Sequence, residues 1–316
     1  MNLRLSHRLL FVLCLILSTI QPLSASEPDR FKPTGFQIYY GSDQQVLDQL
    51  QQQILPGQVI VVELRGLSTA QIQKLAARAH ELKAIVIAYL SVGELGQIEQ
   101  QKFQQYLKQS APQTTLADLT LSKNETFQSW HMDVSQPAWR DFLKQRIKQI
   151  YQLPVDGLFL DTIDSVDLYI SNKEWSVPRR VQSVTAMVSL IREIKAVNSE
   201  KFIMQNRALN LIGKTVFVGD ATGVFVPGLN LKQAHPHNPD GLLWESAYMH
   251  TGDWIESKER EMIQIQKQGF TSVFTLGYTD TKADRKQFFQ KSHAAGFIPA
   301  WGSSTTRLHL EPTESE

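Results

Sequence analysis

The stretch DGLFLDTIDS, residues 156–165, decides the fold. Residues 157–160 form a short apolar run that reads as a strand buried on both faces. The run stops at a carboxylate, Asp161, and a second, Asp164, follows one turn later. Burial ends where charge begins. In a sheet of parallel strands, ligands bind beyond the carboxyl ends of the strands, which puts Asp161 at a candidate site. Alone, such an acid serves equally well as a helix cap or as the partner of a nearby base. The case for a site rests on other strands ending the same way.

They do, in both directions from this stretch. Towards the N-terminus lie 36–40 (FQIYY), 59–64 (VIVVEL, carrying Glu63), 84–90 (AIVIAYL, running into Ser91-Val92-Gly93-Glu94) and 130–134 (WHMDV, carrying Asp133). Towards the C-terminus lie 202–206 (FIMQN), 241–245 (GLLWE), 271–278 (TSVFTLGY, leading to Asp280) and 297–301 (FIPAW). Stretches with helical spacing separate most of them, among them 44–54, 69–83, 181–197, 254–268 and 283–295. This alternation predicts an α/β fold, a single-domain (β/α)8 (TIM) barrel over residues 35–305. There are nine strand candidates for eight places, so one of 36–40, 130–134 or 297–301 is expected to be accessory. Residues 208–240, rich in Gly, Pro, Asn and His, read as an irregular lid or substrate wall. Residues 306–316 read as an unstructured tail.

Side by side, the strand ends carry Tyr39, Tyr40, Glu63, Tyr89, Glu94, Asp133, Asp161, Asp164, Gln205, Asn206, Glu245, Tyr248, Tyr278 and Asp280, with Trp301 on the last strand. A barrel would gather them on one face. Carboxylates for chemistry, amides for hydroxyls and aromatic faces for pyranose rings are what a sugar site needs.

AYLSVGE (88–94), DGLFLDTIDS (156–165) and LLWES (242–246) resemble the motifs of the endo-α-1,4-polygalactosaminidase-like glycoside hydrolases, secreted (β/α) barrels acting on galactosamine-containing polymers. The resemblance spans residues 39–301. It implies that Asp161 and Glu245 are the catalytic carboxylates and that Glu94 belongs to the same cleft. Strand-end placement makes Tyr39, Tyr40, Tyr89, Asp164, Gln205, Asn206, Tyr248, Tyr278 and Trp301, together with Glu94, candidate substrate contacts. One departure stands out: Arg207 in MQNRALN occupies the place of the glycine expected in an NNG or QNG sequence. The expected reaction uses one carboxyl as proton donor and one as nucleophile or base. Asp161, among polar neighbours, is assigned as nucleophile or base, and Glu245, following Leu242, Leu243 and Trp244, as the acid. Glu94, Asp164, Asp167 and Asp280 would attract the ammonium groups of a deacetylated polymer. The competing reading is a non-catalytic carbohydrate-binding barrel.

With 316 residues, 42% hydrophobic and 20% charged, the chain is long enough for one large domain. Residues 1–25 read as a signal peptide, with Arg4 and Arg8 ahead of the apolar run 9–20, and 26–34 as a leader. A secreted or periplasmic location without stable membrane insertion follows. Cleavage would remove the one cysteine, Cys14, and lower the formal charge from +1 to −1, because residues 1–25 hold two arginines and no acid. Near neutrality argues against a nucleic-acid partner. His235-Pro236-His237 offers two imidazoles without a third ligand at obvious spacing, so no metal is expected. No phosphate-loop, dinucleotide or GxSxG fingerprint occurs, so no cofactor is expected either. Asn124-Glu125-Thr126 is a glycosylation sequon, and the mature chain is expected to be a monomer.

Overall fold

The computed structural model describes residues 30–219, 223–278, 281–302 and 308–315. The signal-peptide region and Asp280 lie outside them. The barrel is the unit Lys32–Glu316. Its eight strands are β1 (Gly35–Tyr39), β2 (Gln58–Val62), β3 (Ile85–Ser91), β4 (Gly157–Asp161), β5 (Phe202–Asn206), β6 (Gly241–Glu245), β7 (Ser272–Tyr278) and β8 (Ile298–Gly302). They pair in chain order, every neighbouring pair parallel. The (β/α)8 barrel read from the sequence is thus the observed fold.

Residues alternate across each strand, one set lining the barrel and the other facing the helices. The lining set includes Phe36, Val61, Ile87, Phe159, Met204, Leu243, Phe274 and Ala300, one from each strand and all fully buried. Phe36 and Phe274 meet edge to face with ring centres 5.3 Å apart. The outward set, including Ile60, Ala88, Leu158, Ile203, Leu242 and Val273, packs on helix residues such as Leu75, Ile147, Leu190, Ile191 and Met262. Because both faces are covered, the strands read as continuous apolar runs.

Two Asp-Gly pairs fix the strand entrances. The Asp156 carboxylate accepts the Val86 amide at 2.8 Å and faces His80 Nε2 at 3.0 Å, tying β4 to β3. Asp240 repeats the device, accepting the Ile203 amide at 2.9 Å and the Lys195 ammonium at 2.7 Å. Acids at the N-terminal end of the barrel therefore hold the sheet together, while Asp161 and Glu245 stand at the opposite end, where ligands bind in this fold.

Of the three strand candidates, 130–134 is the accessory one. Ser129–Met132 lies in a separate antiparallel sheet between Glu94–Gly96 and Thr120–Asn124. The sequence showed neither of these two partners as a strand, because both are short and polar. Within the segment read as irregular, Thr215–Val218 and Val224–Pro227 pair as an antiparallel ribbon. The tail read as unstructured is bonded over its described part. Thr313 exchanges hydrogen bonds with Ile38 of β1, and Glu314 with Trp301 of β8. A segment with little apolar content is held there because it supplies backbone partners to both strands beside the β1–β8 seam.

Candidate active site

The site is built from inward-facing residues at strand ends and from the turns that follow them. Asp161 closes β4, and Thr162 turns the chain with a left-handed φ of 58°. The turn is held by the Thr162 hydroxyl, which accepts the amides of Gly93 (2.9 Å) and Val92 (3.2 Å). Gly93 is required here: a Cβ would lie 2.1 Å from Ser165 Oγ and 2.2 Å from the Thr162 carbonyl oxygen. Left-handed residues recur just after two other site strands, at Arg207 and Ala208 (both φ 52°) after β5 and at Ser246 (φ 56°) after β6. Such conformations cost of order 1 kcal/mol each and collect where a fold must aim particular side chains.

Asn206 joins the two acids. Its Nδ2 donates to Asp161 Oδ1 at 2.8 Å and to Glu245 Oε2 at 2.9 Å, so these oxygens lie at most about 5.7 Å apart. Tyr89 donates to Asp161 Oδ2 at 2.9 Å and Tyr278 to Glu245 Oε1 at 3.0 Å. Tyr40 packs edge to face on Tyr89, ring centres 5.2 Å apart. Burial first, and then nearby carboxylates, Asp161 for Tyr40 and Tyr89 and Glu245 for Tyr278, push the phenol pKa values of Tyr40, Tyr89 and Tyr278 well up. All three remain neutral donors across the physiological range.

Arg207 enters the same cleft. Its Nε lies 3.0 Å from Glu245 Oε2, a charge contact without hydrogen-bond alignment, and its Nη1 bonds Asp164 Oδ2 at 3.4 Å. Burial opposes the guanidinium charge, and Glu245, Asp164 and Asp161 more than offset it, so its pKa is raised. Asp164 moves the other way for an acid. Burial is the main cause, Arg207 counteracts it, Asp161, Asp167 and Glu245 add repulsion, and its pKa rises from 3.8 to about 6.

The fold binds a proton at Asp164 more tightly than the unfolded chain does. Its contribution to stability is therefore least favourable above pH 6 and improves as pH falls through about 6 towards 3.8. Asp164→Asn is accordingly expected to raise Tm relative to wild type more at pH 7.5 than at pH 4.5. A Tm difference that did not change with pH would contradict this environment.

Several residues expected at the site are placed elsewhere. Tyr39 is an outward residue of β1, and its hydroxyl accepts the Asp43 amide at 3.2 Å. Trp301, outward on β8, packs on Phe288 with ring centres 5.1 Å apart. Tyr248 lies between Trp244 and Phe288 in the helix-facing layer. Gln205 alternates with Asn206 and faces outward, its amide donating to the Arg207 carbonyl at 3.0 Å. Glu94 belongs to the side sheet, where its carboxylate accepts from Ser129 Oγ and from Asn124 at 3.1 Å and pairs with His131 at 3.2 Å. Of the other acids, Glu63 pairs with Arg65 at 2.7 Å, Asp133 accepts from Ser135 and Gln136, and Asp167 accepts from Asn210 at 2.7 Å. The structure thus gathers Tyr40, Tyr89, Asp161, Asp164, Asn206, Glu245 and Tyr278. It adds Arg207, a departure from the expected glycine that the sequence alone does not assign to the site. A bulky residue where the turn calls for glycine was the available signal.

His235 and His237 stand edge to face, ring centres 5.8 Å apart, with the His237 amide donating to His235 Nδ1. Among the described residues no group of three or more His, Cys, Asp or Glu side chains is disposed to hold a metal, and no helix is long and apolar enough to cross a membrane.

Solved structures of other proteins share this fold. The glycoside hydrolase domain of PelA from Pseudomonas aeruginosa superposes with a TM-score of 0.59 at 19% identity, covering 90% of this chain and 99% of its own. Ega3 of Aspergillus fumigatus, in complex with galactosamine, gives 0.57 at 14% identity, covering 92% and 99%. The trehalose-6-phosphate hydrolase of Bacillus licheniformis gives 0.51 at 11% identity, covering 85% and 62%. No curated protein matches the chain. The model of one family matches residues 21–222, more than half of the chain and including Asp161, Asn206 and Arg207. By that match, and with the barrel and its paired carboxylates in place, the chain belongs to glycoside-hydrolase family GH114.

Proposed function

We propose that this protein is a secreted glycoside hydrolase that cleaves α-1,4 linkages in a galactosamine-containing polysaccharide, with Asp161 as nucleophile and Glu245 as acid and then base. The observation that carries this reading is the single Asn206 amide bonded to both carboxylates, which keeps their nearest bridged oxygens within about 5.7 Å. Carboxyls about 5 to 5.5 Å apart suit a retaining, double-displacement reaction, whereas inverting enzymes need about 6.5 to 9.5 Å to admit water. The galactosamine assignment is supported by the strand-end motifs and by the galactosamine complex of the fold relative Ega3.

In the first step Asp161 attacks the anomeric carbon while Glu245 gives its proton to the leaving oxygen, forming a glycosyl ester. In the second, Glu245 takes a proton from water, which displaces Asp161 and restores both groups. Tyr89 and Asn206 hold the two Asp161 oxygens, so the nucleophile is oriented before substrate arrives. Proton donation by Glu245 requires Arg207 to move off Oε2. The long bond to Asp164 and the 41% exposure of the arginine side chain leave it room to do so. The same pair is the one observation favouring the non-catalytic alternative, a barrel that binds sugar without turnover.

Incubation with α-1,4-linked galactosamine and N-acetylgalactosamine oligomers, followed by proton NMR of the first-formed reducing end, separates the readings. The α anomer is expected first. Initial β product would replace retention by inversion, and no new reducing ends from any oligomer would leave the binding barrel.

A further inference from the structure

Of the six tryptophans, Trp254 alone is exposed, at 48%. Trp139, Trp244 and Trp301 are buried, Trp130 packs against the core, and Trp175 is covered by Tyr169 and Arg179. Among the described residues no ring or cation covers the Trp254 indole. A lone apolar side chain on a surface is ordinary, so its position has to decide the matter. Trp254 is the second residue of the helix Asp253–Gln268, which follows β6 and therefore starts at the barrel mouth, in the same β/α unit as Glu245. Met249, on the same connection, is also exposed.

The helix period shows which way the indole stands. Trp254, Lys258 and Glu261 are four and three residues apart and share one face. Glu261 meets the connection after β5: a Cβ on Gly213 would lie 3.0 Å from its Oε1, and Lys232 Nζ is 3.7 Å from the same oxygen. Lys258 is close enough to Asp167 for its charge, with the Asn210 hydrogen bond and Arg207, to oppose the rise in pKa that burial imposes on that acid. Trp254 is one turn nearer the mouth than Lys258. It therefore stands at the rim beside the turn 207–210, outside the pair Asp161 and Glu245 that Asn206 joins.

Resting on the polysaccharide reading above, we propose that Trp254 is an outer sugar-binding residue: its indole face stacks on a pyranose of the bound chain that lies beyond the two sugars joined by the cleaved linkage. A galactosamine ring carries its 4-oxygen axially, which leaves the hydrogens of C3, C4 and C5 together on the opposite face as an apolar patch for an aromatic plane. A free ammonium on that sugar is drawn to the ring quadrupole and to the exposed carboxylate of Asp253 next along the chain. An N-acetyl group leaves the apolar patch as it is. Trp254 thus favours longer chains over shorter ones, and the energy of the outer contact is available to the reaction at the carboxylates.

The test uses α-1,4-linked galactosamine oligomers of two to eight units, with and without N-acetylation. Values of kcat/KM are read for wild type, Trp254→Ala and Trp254→Tyr. Wild-type kcat/KM is expected to rise with length. Trp254→Ala should lose at least tenfold on the octamer and progressively less on shorter oligomers, chiefly through KM, and Trp254→Tyr should keep most of the rise because it keeps a flat ring. Binding is read separately by tryptophan emission in the Glu245→Gln background, where the octamer is not consumed. A blue shift is expected there, and its loss in the Glu245→Gln, Trp254→Tyr double variant. An unchanged length dependence in Trp254→Ala overturns the proposal and leaves the hydrolase reading standing, as does a wild-type rate that does not rise with length. A loss equal at every length, or a lowered Tm in Trp254→Ala, gives the residue a structural role and also overturns it. An emission shift that depends on Trp254, without cleavage of any oligomer by wild type, keeps the sugar contact and ends the hydrolase reading. Neither shift nor cleavage overturns both.

Discussion

Asp161→Asn and Glu245→Gln are each expected to lower kcat by about a thousandfold or more while changing Tm by no more than about 2 °C. The two halves of this expectation have separate causes. Activity falls because an amide is neither a glycosyl acceptor nor an acid of useful strength, and each loss removes a group that acts directly on the reacting bond. Stability holds because both substitutions preserve shape and leave the local hydrogen bonds able to rearrange. Asn206 still finds an amide oxygen at each neighbour, and the Tyr89 and Tyr278 hydroxyls can accept where they formerly donated. The measurement is kcat on the preferred oligomer with a thermal melt of each variant. Retention of about a tenth of wild-type turnover would remove that residue from the chemistry. A collapse in Tm would make it a structural acid like Asp156. Azide adds a sharper readout: with Asp161→Gly it should restore turnover and give a glycosyl azide of inverted configuration, since azide then takes the place of the missing nucleophile.

Gly157→Ala is expected to cost more than about 3 kcal/mol and to prevent accumulation of folded protein, the largest stability effect anticipated for so small a change. An added Cβ would lie 1.8 Å from the Phe202 carbonyl oxygen and 2.7 Å from its carbon, on the neighbouring strand β5. Backbone atoms cannot step aside as a side chain can, so β4 and β5 would have to separate. The affected pair includes Gly157↔Phe202, the first of the registered pairs leading to Leu160↔Gln205. The same displacement would carry Asp161 away from Asn206. Urea unfolding of Gly157→Ala beside wild type checks the value. A loss below about 1 kcal/mol would mean that the two strands approach less closely than described.

The glycine of DGLFLD shows how legible this protein was. Its strand could be read because parallel strands covered on both faces are apolar throughout, and the run stops where the barrel opens. The ends of β4, β5 and β6 therefore announced Asp161, Asn206 and Glu245. Which neighbour at each end faces inward was harder. Tyr39 and Tyr40 look alike in the sequence, as do Gln205 and Asn206, yet one of each pair belongs to the helix layer. The period of two separates such neighbours only when the register of the strand is known. Trp301 and Tyr248 were drawn to the site by residue type, but their rings fill the outer core against Phe288.

The surroundings of Glu245 illustrate the same limit. Leu242, Leu243 and Trp244 precede it, and they suggested an apolar setting. Its carboxylate instead meets Asn206, Arg207 and Tyr278, two of them from the preceding strand end and one from the following strand. Side chains next to each other along a strand point to opposite faces, whereas those meeting at a barrel mouth come from different strands.

By itself the sequence determined the alternating strands and helices, the barrel they form and the two acids at its mouth, because burial and periodicity are local properties of the chain. Tertiary structure alone decided that Asn206 links those acids, that Glu94 is withdrawn into a side sheet, that Arg207 occupies the cleft and that Thr313 and Glu314 reach β1 and β8. Each of these is a contact between residues far apart along the backbone, and its existence depends on register and closure, which no single stretch of sequence contains.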